Sequence, residues 1–139
     1  MNGAAAAGYS GTPLPRKLGI RAGHTVALLD APDGAERLVD PLPDGVRLRR
    51  DLRLRPDIAL QFSTERARLA ARLPRLGQAI HPDATLWIAW PKRAAKVPTD
   101  ITEDVIRDVC LPLGLVDVKV CAIDATWSGL KLVWRKELR

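Results

Sequence analysis

The spacing of hydrophobic positions changes period along this chain. TVALLD (25–30) is a continuous apolar run with β-branched character that stops at Pro32-Asp33-Gly34, as expected of a strand buried on both faces. Residues 34–40 fit a short helix closed by Pro41 and Pro43. In VRLRR (46–50) the period is two, with Val46 and Leu48 on one side and Arg47 and Arg49 on the other, which predicts a half-exposed edge strand. DIALQF (57–62) is a second buried strand. Leu69, Leu73, Leu76 and Ile80 then recur at helical spacing, with Arg68, Arg72 and Arg75 on another face. Ser63 is the expected N-cap of this helix, and Pro74 predicts a kink or two short helices. TLWIAW (85–90) is the most apolar strand. A helix follows from about Thr102 to Leu111, its apolar face expected at Val105, Ile106, Val109, Cys110 and Leu113. VDVKVCAID (116–124) and LKLVWRK (130–136) alternate on either side of the turn ATWSG, which predicts an antiparallel hairpin.

Strands alternating with helices imply an α/β fold: a mostly parallel, Rossmann-like sheet flanked by helices, with the hairpin adding an antiparallel strand. The 139 residues and 15.2 kDa suit one domain. Residues 1–16 lack an apolar period and are expected to form a flexible arm, leaving 17–139 as the domain. No apolar run approaches the ~18 residues of a membrane span. The first residues lack the basic and apolar regions of a secretory signal. Two cysteines make no disulfide framework. These features together predict a cytoplasmic protein.

From DIALQF onward, the order of elements resembles the class I S-adenosylmethionine-dependent methyltransferases, with TVALLD as the first strand. The residues GYSGTPL..KLGI (8–20), TVALLDAP, WPK (90–92), TEDV (102–105), LGLVDVKV (113–120) and WSGLK (127–131) also resemble a bacterial domain-of-unknown-function family, over nearly the whole chain. The methyltransferase resemblance implies a topology from which one strand and two helices are missing, because seven residues (50–56) are too few for a helical crossover. It also implies a glycine-rich turn after the first strand and an acid at the end of the second. The sequence instead has Ala31-Pro32-Asp33-Gly34 and Arg49-Arg50-Asp51.

Ligands of open α/β sheets bind beyond the carboxyl ends of the strands. That edge should collect Asp30, Gln61, Trp90, Lys92, Trp127 and Ser128 as ligand-binding residues. An indole beside an ammonium suits a ring that carries a carboxylate or phosphate. The plainer alternatives are a helix cap at Asp30, core indoles at Trp90 and Trp127, and a solvated Lys92. His24, His81, Cys110 and Cys121 show no zinc spacing, so no metal is expected. The expected function is a module binding an anionic small molecule or a partner, with no cofactor and no assigned catalytic residue. A minimal methyltransferase and a weak nucleic-acid-associated protein are the alternatives.

The net charge of +6 arises from 22 basic and 16 acidic residues. Arg47, Arg49, Arg53 and Arg55 make a stripe with no aromatic residue interleaved, unlike single-strand binders that add stacking platforms. Nucleic-acid association should therefore be weak and vanish near ~0.15 M salt. Fluorescence anisotropy against labelled oligonucleotides across a salt series checks this. Sub-micromolar, sequence-dependent binding at that salt would contradict it.

Overall fold

The computed structural model describes residues 11–139. Six strands form one sheet: β1 (Thr25–Leu29), β2 (Arg47–Arg49), β3 (Ile58–Phe62), β4 (Thr85–Pro91), β5 (Leu115–Ala122) and β6 (Trp127–Trp134). Their order is β2-β1-β3-β4-β6-β5, with β6 antiparallel to both neighbours and the rest parallel. Helices α1 (Leu14–Leu18), α2 (Arg66–Ile80) and α3 (Glu103–Cys110) cover its faces. Among the described residues no helix is long and apolar enough to cross a membrane.

Strand alternation divides the core in two. Ala27, Leu29, Leu86, Ile88 and Trp90 meet Leu69, Leu73, Leu76 and Ile80 of α2 and Ile106 and Cys110 of α3. Val26, Leu28, Ile58, Leu60, Phe62 and Trp87 meet Leu14 and Leu18 of α1, with Ala35 and Val39 of a 3₁₀ turn. The chain leaves β1 over the α1 face to reach β2 on one side. It leaves β3 over the α2 face to reach β4 on the other. The carboxyl ends of β1 and β3 are thus the topological switch point, where the two exits part and a crevice opens. Between β2 and β3, residues 50–57 cross without a helix, and Leu52 packs on the α2 face.

Four sequence expectations need correction. The arm does not extend to residue 16: α1 begins at Leu14, with Leu14 and Pro15 buried, while residues 1–10 lie outside the described residues. α2 is one continuous helix. Pro74 removes a bond to the carbonyl of Ala70, but both residues are exposed and water can serve that carbonyl. Ser63 does not cap α2; the Asp100 carboxylate accepts the N–H of Arg66 at 2.7 Å instead. Leu113 is 37% exposed, because α3 ends at Cys110 and Pro112 sits in a 3₁₀ turn. α3 otherwise forms as expected, with the Thr102 hydroxyl accepting the N–H of Val105 at 3.2 Å.

Trp87 is fully buried and donates its indole N–H to the Leu18 carbonyl at 3.1 Å, which ties α1 to the sheet. Trp87→Ala should cost about 3–5 kcal/mol, measured by urea unfolding. Trp87→Phe should cost about 1–3 kcal/mol, from lost volume and an unpaired carbonyl. Losses below about 1 kcal/mol for the alanine variant would mean that α1 does not dock as described.

Candidate functional site

β1 ends at Asp30, which takes a left-handed backbone conformation, φ 50°. Asp is among the few residues that tolerate this region. The turn brings the carboxylate over the end of β3. There Gln61, 1% exposed, donates from its amide Nε2 to Asp30 Oδ2 and to the Phe62 carbonyl, both at 2.8 Å. Its Oε1 accepts from Arg72 Nε at 3.2 Å. Arg68 donates to Asp30 Oδ1 at 3.2 Å, and Arg72 Nε lies 3.5 Å from Oδ2. Arg68 and Arg72 stand one turn apart on α2, so one helix face supplies both counter-charges.

Beside this network lies a cavity of about 410 Å³. β1 contributes Asp30 and Ala31, and the β3–α2 segment contributes Gln61 to Glu65 and Arg68. The hairpin contributes Trp127, whose ring meets Phe62 edge-on, with centroids 5.0 Å apart and planes at 88°. Asp124 Oδ1 sets the hairpin turn by accepting the N–H groups of Thr126 and Trp127, each at 2.8 Å. β6 begins at Trp127 itself, earlier than the alternation from Leu130 predicts.

Three of the expected residues, Asp30, Gln61 and Trp127, therefore meet in one cavity. Lys92 lies at the same edge, its backbone N–H donating to the Thr126 carbonyl at 2.7 Å, but it does not line this cavity. Trp90 is 9% exposed and packs with the α2 and α3 side chains. In register, Pro91 faces Trp127 and Trp90 faces Ser128. Alternation therefore puts Trp90 and Ser128 on the sheet face opposite Trp127. Sequence reasoning missed Arg68 and Thr64 as cavity residues. The signal was the i, i+4 pair Arg68–Arg72 directly after a buried strand that ends in a polar Gln.

A second network closes the turn after β1. Arg50, just past β2, holds both Glu36 oxygens at 2.8 and 2.9 Å. The same guanidinium donates to the Ala31 carbonyl at 3.2 Å and the Pro32 carbonyl at 3.3 Å. Gly34 is left-handed, φ 79°, and the Arg37 guanidinium covers the place where a Cβ would stand. No group of three or more His, Cys, Asp or Glu able to hold a metal occurs among the described residues. Cys110 is buried, with its thiol at 3.6 Å from the Leu115 carbonyl, and burial pushes its pKa up to about 11.

No family model matches this chain, and no curated protein matches it. Solved structures do. A SAM-dependent methyltransferase from Aquifex aeolicus is 14% identical, with a TM-score of 0.61 over 94% of this chain and 93% of that one. DhpI, in a complex with SAH, is 12% identical, with a TM-score of 0.59 over 89% and 83%. YjhP from E. coli is 14% identical, with a TM-score of 0.56 over 88% and 89%. At these identities the likeness is one of fold. The chain has the mixed α/β architecture of the class I S-adenosylmethionine-dependent methyltransferases.

Proposed function

We propose that this chain is a binding module on a methyltransferase-like fold, taking a small anionic ligand that carries a ring at the carboxyl edge of the sheet. The observation that carries this reading is the cavity at the β1/β3 switch point, which an indole and a guanidinium both line. Trp127 offers a flat apolar surface, and Arg68 keeps N–H donors beyond the one it gives Asp30.

S-adenosylmethionine, the cofactor of the structurally similar methyltransferases, fits these residues poorly. A glycine-rich turn lets phosphate or sugar groups approach backbone N–H donors closely. Here Pro32 has no N–H, and the carbonyls of Ala31 and Pro32 are engaged by Arg50. The acid just past β2 is Asp51, which accepts from Arg49 at 3.2 Å and from the Arg53 N–H at 3.1 Å, and Glu36 of the preceding 3₁₀ turn has both oxygens taken by Arg50. Asp30 is likewise committed to Gln61, Arg68 and Arg72. The minimal methyltransferase rests on fold alone, and nucleic acid would have to compete with Asp51 for Arg49 and Arg53 of the basic stripe.

Calorimetry with S-adenosylmethionine and S-adenosylhomocysteine should show no binding in the low micromolar range, about −8 kcal/mol. Such affinity would defeat this reading and promote the enzyme. The ligand itself is sought by native mass spectrometry of protein purified from its own host. Arg68→Ala and Trp127→Ala should each weaken it about tenfold, ~1.4 kcal/mol, without unfolding. Wild-type affinity in both folded variants would make the rim structural.

The clamp has its own test. The hydrogen bonds from Arg50 hold the Glu36 carboxyl down at about 2, below its ordinary 4.5. With the pKa depressed on folding, the clamp is intact above pH 4.5 and is lost as pH falls toward 2. An NMR titration should place Glu36 low in the wild type and raised toward 4.5 in Arg50→Ala, where only its backbone hydrogen bond still lowers it. An ordinary wild-type value would mean that the turn is open in solution.

A further inference from the structure

We propose a second binding site, at the amino edge of the sheet, for a small molecule bearing a phosphate group. A cavity of about 540 Å³ opens there, larger than the one at the carboxyl edge and within the range of small-molecule sites. Four separate segments build it. The loop after α1 brings Arg21 and His24, the lead-in to β3 brings Arg55, the turn after α2 brings His81, and β6 brings Lys131. Among the described residues, the side chains of Arg21, Arg55 and Lys131 have no ion pair or hydrogen bond. This sets them apart from Arg50, Arg68, Arg72 and Arg107, all held by carboxylates elsewhere in the molecule.

The opposing charges are few. Asp57 gives Oδ2 to the Thr25 N–H at 2.8 Å, and Asp83 is exposed at the mouth. The carbonyl end of α2 points the same way and would disfavour an anion. It is largely satisfied, because the His81 N–H serves the Gly77 and Gln78 carbonyls and the Ala84 N–H serves that of Ile80. His24 accepts the Arg21 N–H at Nδ1, which leaves Nε2 as the donor in the neutral ring. Lys131 stands opposite Trp87 on one side and Lys119 on the other. Burial, then the like charge of Lys119, lowers its pKa, so a bound anion would relieve a cation that is short of partners. Two guanidinium forks and an ammonium around a partly apolar floor of Leu18, Ile58 and Ile80 suit a phosphate ester with a compact organic part.

Inorganic pyrophosphate is the probe, titrated into ¹⁵N-labelled protein at constant ionic strength against sodium chloride. The expected result is saturable shifts confined to the amides of residues 21–25, 57–58, 81 and 83–85. Arg55→Gln and Lys131→Met should each weaken binding about tenfold, Lys131→Arg should largely restore it, and Arg53→Gln should leave it unchanged. No saturable shift up to about 10 mM, a range far weaker than metabolite sites need, would overturn the site. So would shifts spread along 47–55, or equal losses in Arg53→Gln and Arg55→Gln, which are the marks of a diffuse basic surface that would suit nucleic acid.

Discussion

The carboxyl edge depends on one buried amide, that of Gln61. β1 and β3 pair in parallel from Val26 with Ile58 to Leu29 with Gln61, and every residue of both strands is buried. A polar side chain inside such a pair is tolerated only if its donors and acceptor are met, since an unmet buried group costs about 1–3 kcal/mol. Gln61 meets them through Asp30, the Phe62 carbonyl and Arg72. The position of Asp30 follows, and with it the left-handed turn that ends β1. Arg72 fixes the rotation of α2, which swings Arg68 over the cavity one turn earlier.

Most of the fold was legible because burial on both faces leaves a simple trace. TVALLD, DIALQF and TLWIAW are uninterrupted apolar runs, and the leucines of α2 repeat at its period. Misread positions depend on partners far along the chain. Trp90 and Trp127 each stand at a strand end, but the register that pairs Pro91 with Trp127 puts the two indoles on opposite faces, and register between β4 and β6 is not written in either segment. Ser63 has a good capping side chain in the expected place, yet Asp100, 34 positions beyond Arg66, takes the role. Arg50 was visible as a base at the end of an edge strand. That it reaches back to Glu36 and two carbonyls follows from the short crossover, which keeps β2 beside the turn after β1.

The same architecture explains why this edge differs in character from the glycine-rich turn of the fold it resembles. A glycine loop works by leaving backbone N–H groups free and close to an incoming anion. In this chain the corresponding turn presents carbonyls, and a guanidinium covers them. Arg50 replaces the exogenous partner by an internal one, and the 3₁₀ turn at Ala35–Val39 is too short to offer the N-terminus of an α-helix in its place.

The two edges of the sheet therefore treat charge in opposite ways. At the carboxyl edge the arginines are counter-ions of Asp30 and Glu36, so a ligand must compete with contacts that already exist. Arg68 is the member most open to exchange: its side chain is 64% exposed, and one of its donors reaches Asp30. Releasing it leaves Asp30 still held by Gln61 and Arg72, so the proposed anion would enter without leaving that carboxylate unpartnered. Trp127 cannot move in the same way, because Phe62 and the Asp124 turn hold it. In the proposed ligand-binding reading, a fixed indole and one exchangeable guanidinium lining the same cavity select for shape first and charge second. That order suits a ligand whose ring enters before its anionic group displaces Asp30 from Arg68.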